Sequence, residues 1–373
     1  MYKVRFVNPQ KQFADHKEEY MGAVESVFSQ GSLIMRKELK DFEEQIAKFV
    51  GVKHAIGVNS GTSAIYLSLK AAGVGPGDEV ITVAHTFIAS ISCIYLTGAT
   101  AVLVDVGKDF NIDPNLIEAA ITPKTKAIEV VHLNGRICDM DRVLDIAKKH
   151  NLIVIEDAAQ AMGATYTMKD GSVKKAGAFG LTGCFSLYPF KALGAFGNSG
   201  VVTTNDDDMA KKLMLLRYNG EDRETRYFYY HSHNMLMDNV QAALVNVKLK
   251  YFPGWIERRR EIANLYYEGL KNVPQVRLPH FDDDRYRDIY TNYAVRVERR
   301  DELKKYFDDN ELIETIISWP IPMYKQVAML PNDYFLPETE KICTEIISLP
   351  MYPEFTNEDA QNVIDAIKTF YTK

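Results

Sequence analysis

Cysteine is scarce in this sequence. Four occur in 373 residues, namely Cys93, Cys138, Cys184 and Cys343. They form no CxxC pair and no cluster with histidine, so the sequence predicts neither a disulfide framework nor a zinc site. Each lies in or near an apolar run. We therefore expect four buried thiols in a reducing cytoplasm, and no bound metal.

Long apolar runs and basic tracts are also missing. No apolar stretch reaches the roughly 18 residues that a membrane-spanning helix needs, and the first residues contain no apolar segment typical of a secretory signal. The net charge is −6, from 44 basic and 50 acidic residues. Without a tract rich in Lys and Arg, nucleic-acid binding by bulk electrostatics is not expected. These absences predict a cytoplasmic protein with no membrane or nucleic-acid partner.

The first 200 residues alternate between short apolar runs and helical patterns. Strands are predicted at residues 79–83, 100–106, 127–133 and 152–156. Helices are predicted at residues 62–72, 89–96, 114–120 and 140–150. The strands are nearly continuous in apolar character, which is typical of strands buried on both faces. The pattern predicts an α/β fold whose mainly parallel sheet has helices on both sides.

The later chain has a different character, and the total length favours two domains. Two helices are predicted at residues 238–251 and 255–270, separated by Pro253 and Gly254. Shorter elements are predicted at residues 293–297, 300–308 and 357–369. We therefore expect a large domain at residues 1–252, including the N-terminal segment, and a smaller α+β domain at residues 253–373.

Two segments contain candidate functional residues near predicted strand and helix ends. Gly61 and Thr62 lie in a small-residue turn that opens a helix, where free N–H groups and the helix dipole suit a phosphate. A simple N-cap turn explains the same residues. Asp157 lies at the carboxyl end of a buried strand, where open α/β sheets bind ligands. An aspartate in that position can also cap the next segment.

A third segment places Lys191 after an apolar strand, five residues beyond Ser186. A lysine in apolar surroundings is costly unless it is partnered or neutral. A Schiff-base lysine meets this need because desolvation favours the reactive neutral amine. The alternative is a lysine whose ammonium reaches solvent from a strand end. In a fourth segment, Asn234 precedes an amphipathic helix, a position that packing alone would explain.

In this order, the four segments resemble the DegT/DnrJ/EryC1/StrS family of sugar aminotransferases. The resemblance runs nearly from end to end and includes residues 156–160, 186–191 and 349–353. It implies the fold-type I aminotransferase architecture, with a mainly parallel sheet of the seven-stranded type in the large domain. It also implies pyridoxal 5′-phosphate as cofactor, with pyridoxamine 5′-phosphate as the intermediate form, and a homodimer with shared active sites.

The same resemblance implies two catalytic residues. Lys191 matches the lysine that binds the cofactor covalently and then moves a proton between substrate and cofactor. Asp157 matches the acid that pairs with the pyridine nitrogen. Its charge keeps that nitrogen protonated, and the protonated ring is the electron sink of the reaction.

Other cofactor contacts follow from the resemblance as well. Phe87 matches an aromatic residue that stacks over the ring, and Gln160 matches a residue near the phenolic oxygen. Asn234 matches an asparagine that reaches the phosphate from the partner subunit. The remaining phosphate contacts are implied for Gly61, Thr62 and Ser186.

The sequence departs from the family in several places. Leu236 stands where an arginine is usual, which puts one interface contact in doubt, and Arg36 replaces a glycine. Val130 stands where a proline is usual, and Asn198 and Ser199 replace a more common Asp-Gly pair. Residues 227–233 are unusually aromatic, and we expect them to pack at the dimer interface rather than act in catalysis. Metal binding by His231 and His233 lacks a third ligand.

The resemblance implies transfer of an amino group from L-glutamate or glutamine to a nucleotide-linked 3- or 4-keto-6-deoxy sugar. Candidate substrate-binding residues are Arg36, Tyr188, Trp319, Tyr324 and Lys325. Arg36 is equally well explained as a surface charge. The alternatives are a same-fold enzyme that acts on an aminocyclitol ketone or another non-nucleotide keto substrate, and a non-catalytic relative. Lys191 favours transamination, because the family's dehydratase branch has histidine there.

Overall fold

The computed structural model describes residues 2–279 and 283–372. In that part of the chain the helices are α1 (Pro9–Asp15), α2 (Lys17–Ser29), α3 (Lys37–Val50), α4 (Gly61–Ala71), α5 (Ile88–Leu96), α6 (Pro114–Ile117), α7 (Met140–His150), α8 (Asp207–Leu216), α9 (Asn239–Leu270), α10 (Arg300–Asp309), α11 (Pro337–Glu345) and α12 (Asn357–Thr372). The strands are β1 (His54–Val58), β2 (Glu79–Val83), β3 (Thr100–Val104), β4 (Thr125–Val131), β5 (Ile153–Asp157), β6 (Thr165–Thr167), β7 (Val173–Lys175), β8 (Thr182–Ser186), β9 (Gly200–Thr204), β10 (Val276–Arg277), β11 (Tyr286–Arg287), β12 (Tyr293–Val297) and β13 (Ile346–Leu349).

A seven-stranded sheet, in the order β1-β9-β8-β5-β4-β2-β3, forms the centre of the molecule. Neighbouring strands from β8 to β3 are parallel, and β9 runs antiparallel to both β1 and β8. The predicted α/β fold with a mainly parallel sheet is therefore confirmed. The carboxyl ends of β2, β4, β5 and β8 meet at one edge of the sheet, which is where such folds bind ligands.

Each face of this sheet is covered by its own hydrophobic core. Helices α4, α5 and α8 cover one face, where Leu67, Ile91 and Leu213 are buried together. Helices α3, α7 and α9 cover the other face. Because both faces are buried, the strands need apolar residues at nearly every position, which explains the continuous apolar runs in the sequence.

Helix α9 corrects one prediction. The sequence predicted two helices separated at Pro253 and Gly254, whereas the structure contains one helix, Asn239–Leu270, with Pro253 inside it. A proline inside a helix costs about 3 kcal/mol because it removes one hydrogen bond and crowds the preceding turn. The adjacent Phe252 and Ile256 are buried, at 0% and 5% exposure, and burying such side chains is worth about 1.5–3 kcal/mol each. Tertiary packing therefore carries the helix through the proline.

A third core lies around the sheet β10-β12-β13 and helices α10 and α12. Helix α9 joins the cores: its first half contributes Val245 to the core beneath the large sheet, and its second half contributes Tyr266 to this third core. Val4 from the N-terminus also packs in the third core and pairs with Ile313. The division at residues 252 and 253 stays a prediction. Within the described ranges, no helix has the length and apolar character that crossing a membrane requires.

Candidate active site

A cavity of about 500 Å³ opens at the carboxyl edge of the large sheet. It combines three strand ends, at Val131 of β4, Asp157 of β5 and Ser186 of β8, with the beginning of α4 at Gly61. Its complete lining is Ser60, Gly61, Thr62, Ile65, Thr86, Phe87, Ala89, Val131, Leu133, Asp157, Ala159, Gln160, Ser186, Tyr188, Lys191, Asn198 and Ser199. The fold therefore collects residues that are far apart in sequence into one polar cavity with apolar walls.

Asp157 is the buried acid of this cavity, with 5% of its surface exposed. Its carboxylate accepts hydrogen bonds from the Ser90 hydroxyl, at 2.8 Å, and from the Ala159 N–H, at 3.1 Å. The Thr86 hydroxyl lies 2.9 Å from that of Ser90. Burial raises the pKa of Asp157, while the two donors and the nearby Lys191 oppose this rise. The donors thus stabilise the ionised form inside a poorly solvated site.

Glu156, one residue earlier, anchors the same strand end from the opposite face of the sheet. Its carboxylate accepts a hydrogen bond from His132 Nε2 at 2.9 Å. Because the Cys138 N–H donates to His132 Nδ1 at 3.2 Å, the ring proton lies on Nε2. Three backbone N–H groups, each at 2.7 Å, also donate to this carboxylate: those of Gly177, Phe179 and Gly180. This satisfied network holds the end of β5, and Asp157 with it, in place.

Lys191 lies in a turn after β8, and its exposed part lines the cavity. The Lys191 N–H donates to the Tyr188 carbonyl at 2.8 Å, and the Ala195 N–H donates to the Leu187 carbonyl at 2.8 Å. A Cβ at Gly194 would lie 2.3 Å from the Pro189 carbonyl oxygen, so this closely folded turn requires glycine. Burial lowers the pKa of Lys191, and the charge of Asp157 partly offsets that effect. Surrounding protein therefore favours the neutral, nucleophilic amine.

The beginning of helix α4 supplies hydrogen-bond donors to the cavity. Ser60 caps the helix by accepting from the Ser63 N–H at 3.0 Å, which leaves the first N–H groups, at Gly61 and Thr62, for another acceptor. A Cβ at Gly61 would lie 2.6 Å from the Cβ of Ser186, so the helix can approach β8 only with glycine there. The free N–H groups, the helix dipole and the Ser186 hydroxyl form a concave site that suits an anion.

Gln160 presents its amide nitrogen to the cavity. Its Oε1 accepts from the Asn134 N–H at 2.7 Å. A backbone N–H requires an acceptor, and this fixes which end of the amide is the oxygen. Asn134 has a φ of 57°, a left-handed conformation that asparagine tolerates better than most residues. The two amide protons of Gln160 therefore remain available to a ligand that accepts hydrogen bonds.

Comparison with known proteins agrees with this geometry. Residues 14–368 match the DegT/DnrJ/EryC1/StrS aminotransferase family. The chain belongs to this family. It is 40% identical over 369 residues to the pleiotropic regulatory protein of Geobacillus stearothermophilus, covering 97% of this chain and 96% of that protein. It is 37% identical over 373 residues to dTDP-3-amino-3,4,6-trideoxy-alpha-D-glucose transaminase of Streptomyces venezuelae, covering 98% and 96%. The crystal structure of S. venezuelae DesV in complex with a ketimine intermediate superposes with a TM-score of 0.94 at 35% identity, covering 100% of both chains.

Within this aminotransferase, the structure brings most of the predicted residues together. The predicted catalytic and cofactor-binding residues that line the cavity are Gly61, Thr62, Phe87, Asp157, Gln160, Ser186 and Lys191. Tyr188, a predicted substrate contact, lines it as well. Phe87 and Tyr188 are 57% and 47% exposed, so they form an open aromatic rim.

Other predicted residues lie elsewhere. Tyr324, predicted as a substrate contact, does not line this cavity: it is only 2% exposed, and its hydroxyl donates to Glu340 at 2.5 Å. The Lys325 ammonium pairs with the same carboxylate at 2.9 Å, away from the cavity. Trp319 is partly buried and packs edge-on against His85, with ring centroids 5.4 Å apart. Arg36 is exposed at the beginning of α3.

Asn234 does not line the cavity of its own chain. It lies on the exposed surface beside a separate hollow that includes Asn59 and Leu236, and its side chain accepts from the Leu236 N–H at 3.2 Å. Leu236, the departure noted in the sequence, is 8% exposed and pairs with Val58 at the end of β1. Asn234 therefore lines a different hollow from the cavity that Lys191 lines.

Sequence reasoning did not identify Ser90 and Thr86 as site residues. Both precede or begin an apolar helical pattern, where a hydroxyl has no obvious partner. A signal was nevertheless present, because a buried hydroxyl needs a hydrogen-bond partner. The partner is Asp157, 67 residues away in sequence, and only the fold brings the two together.

We expect Ser90→Ala to impair this aminotransferase by weakening the ionised form of Asp157. Loss of one hydrogen bond to a charged group costs about 1.5–3 kcal/mol, so transamination should fall by about tenfold or more. Because the pKa of Asp157 is already raised, removing a donor raises it further, and the acid limb of the pH–rate profile should move to higher pH. Ser92→Ala, on the same helix, makes no contact with Asp157 and should leave this limb in place. An acid limb unchanged by Ser90→Ala would contradict the assigned role.

Proposed function

We propose that this aminotransferase binds pyridoxal 5′-phosphate on Lys191 and transfers an amino group to a nucleotide-linked keto-sugar. The observation that carries the proposal is one cavity containing a desolvated lysine, a donor-stabilised buried aspartate and the free N–H groups of a helix beginning. These are the three groups that this cofactor requires: an amine for its aldehyde, an anion for its ring nitrogen and donors for its phosphate.

The residues of the cavity fit the cofactor group by group. Gly61, Thr62 and Ser186 would hold the phosphate, and Asp157 would pair with the ring nitrogen. The Gln160 amide N–H groups would donate to the phenolic oxygen, because its Oε1 already accepts from the Asn134 N–H. Phe87 would cover one face of the ring from the exposed rim. The bound cofactor supplies an electron sink for the substrate carbanion.

The protein's own groups would hold and move the protons. An ionised Asp157 would hold a proton on the ring nitrogen of the bound cofactor, and the hydrogen bond from the Ser90 hydroxyl favours the ionised form of Asp157. The Lys191 amine, which lines the cavity, would serve as the base, because burial lowers its pKa and so favours the neutral amine that accepts a proton. The apolar walls at Ile65, Ala89 and Val131 limit water around these groups.

We infer the acceptor from the relatives and from the shape of the rim. Several related proteins are named as transaminases of dTDP-linked sugars, and another as acting on a UDP-linked 3-oxo sugar acid. The open aromatic rim at Phe87 and Tyr188 suits a large substrate. The acceptor is thus a 3- or 4-keto-6-deoxy sugar or a related keto-sugar, and the donor is L-glutamate or glutamine. An aminocyclitol ketone is the competing acceptor.

A homodimer with shared active sites is part of the proposal. Tyr227, Phe228 and Tyr229 are 69%, 67% and 55% exposed. They belong to a loop that is ordered by backbone hydrogen bonds, such as the Tyr229 N–H to the Gly220 carbonyl at 2.8 Å, rather than by core packing. Exposed aromatic clusters of this kind mark protein interfaces. Asn234 lies next to this loop and would reach the phosphate of the partner's site.

The four free thiols agree with a cytoplasmic location.

Covalent attachment to Lys191 is directly testable. Borohydride reduction of the yellow holoenzyme fixes the cofactor to its lysine, and peptide mapping should find the label on Lys191. Lys248, another buried lysine, donates to the Gly194 carbonyl at 2.6 Å and is the matched control position. A label on Lys248, or on any lysine other than Lys191, would contradict the assignment of Lys191 as the cofactor-binding lysine.

The acceptor class is tested with enzyme loaded with pyridoxamine 5′-phosphate. We expect a nucleotide-linked keto-sugar to restore the yellow form at least about tenfold faster than pyruvate or oxaloacetate, because only it can use the rim contacts. An aminocyclitol ketone, the competing acceptor, is tested in the same way as a third class of substrate. Equal rates for the simple keto acids and every nucleotide keto-sugar would reject the sugar assignment and leave only the aminotransferase.

Shared sites predict complementation between inactive chains. Mixing Lys191→Ala with Asn234→Ala protein should give about a quarter of the wild-type activity, because half of the dimers are mixed and each mixed dimer has one intact site. Lys191→Ala mixed with Asp157→Asn is the control, since both residues belong to the same chain's half-site and neither mixed site is intact. Equal activity in the two mixtures would contradict the shared site. So would a lack of activity in the mixture of Lys191→Ala with Asn234→Ala, provided that subunit exchange is confirmed.

A further inference from the structure

A second buried carboxyl lies behind Asp157. Glu129, on β4, is 0% exposed. In the parallel pairing of β4 with β5, Val131 stands opposite Asp157 and Glu129 stands opposite Ile155. Side chains two residues apart on a strand point to the same face. Glu129 therefore lies about 7 Å inward from Val131 along β4, and it is the diagonal neighbour of Asp157 on the adjacent strand. Val131 and Asp157 both line the cavity.

Glu129 differs from its two carboxyl neighbours because nothing donates to it. Among the described residues, neither of its oxygens has a hydrogen-bond partner. Asp157 accepts from Ser90 and Ala159, and Glu156 accepts from one imidazole and three backbone groups. An ionised carboxylate without donors is very unfavourable in a protein interior, whereas the protonated acid is tolerated.

The groups around Glu129 in the described part of the chain favour its protonated form. Burial raises the pKa of Glu129 well above its ordinary value, and the charge of Asp157 raises it further. The titratable groups that face it from the packed elements of the described structure are Asp157 on β5, Cys93 on α5 and Cys184 on β8. Burial raises the pKa of both thiols, so these are neutral as well.

The neighbouring strand offers a polar group that suits a protonated acid. Ile81 of β2 pairs with Ile128 of β4, so Thr82 and Glu129 are the next residues along two adjacent strands. The Thr82 hydroxyl is also fully buried and has no partner in the described structure. A protonated carboxyl can both donate to a hydroxyl and accept from one, whereas a carboxylate can only accept.

We propose that Glu129 holds a proton behind Asp157, so that this pair of buried carboxyls carries one negative charge and that charge is located on Asp157. Two ionised carboxylates at this separation would repel each other in a poorly solvated interior. The donors on Asp157 and their lack on Glu129 decide which one keeps the proton. Glu129 is thus a positioning residue for the charge and does not touch the cofactor. The role of this charge, which is to pair with the ring nitrogen of the cofactor, rests on the proposed function of Asp157.

The first test is infrared difference spectroscopy of the cofactor-free protein at neutral pH. Glu129→Gln should remove one carbonyl band of a protonated carboxyl group. Glu156→Gln is the matched control: this glutamate is equally buried, but its carboxylate accepts four hydrogen bonds, so the same band should persist. If the band is unchanged in Glu129→Gln, the proposal is overturned.

The second test is the pH dependence of unfolding, again without cofactor. Unfolded Glu129 releases its proton above about pH 5, whereas the folded protein retains it until its raised pKa is passed. Stability from this group is therefore present at low pH and declines as pH rises. The ratio of the wild-type unfolding constant to that of Glu129→Gln should rise by about tenfold per pH unit across this window.

A ratio that stays constant with pH contradicts the proposal. Glu129→Leu, which has similar volume and no polar atoms, should show the same loss of pH dependence and replaces the glutamine variant if that variant fails to fold. Neither measurement involves transamination. Failure of the acceptor panel would reject only the keto-sugar acceptor, and a borohydride label on another lysine would reject the cofactor assignment; the Glu129 result would stand in either case, and the reverse also holds.

Discussion

The carboxyl of Asp157 lies where little water reaches it, and a charge in such a place must be compensated by fixed neighbours. The Ser90 hydroxyl, the Ala159 N–H and the Lys191 amine provide that compensation. The first two are held by α5 and by the turn after β5, and Lys191 is held by the turn after β8. The geometry of the active site therefore depends on the relative positions of α5, the turn after β5 and the turn after β8 around one buried charge.

The parallel sheet meets that requirement. Parallel strands place their carboxyl ends at one edge, and burial on both faces fixes them against helices. Beneath Asp157, the fully bonded carboxylate of Glu156 joins β5 to the segment before β8 and to His132 after β4. On the other face, Glu129 is buried without donors. Glu129, Glu156 and Asp157 lie close together on two adjacent strands. Their roles differ because each carboxyl group accepts a different number of hydrogen bonds.

The surfaces that would meet a substrate or a second subunit are more exposed than Asp157. The open rim at Phe87 and Tyr188 and the exposed aromatic loop at Tyr227–Tyr230 are surfaces that one chain leaves uncovered. A large acceptor and a second subunit would cover them. Asp157 and Lys191, the proposed catalytic residues, lie deeper in the cavity, so one chemistry can be combined with different rims.

The sequence by itself determined the fold class and the chemistry. Continuous apolar strands identified the parallel sheet, since strands buried on both faces are apolar nearly throughout, and the order of four segments indicated the aminotransferase family. Tertiary structure alone decided the rest. Packing kept α9 continuous through Pro253, and the fold placed the Tyr324 hydroxyl against Glu340 and brought Ser90 to Asp157. The physical reason is that hydrophobic periodicity is local along the chain, whereas a hydrogen-bond partner and the cost of burial are set by residues distant in sequence.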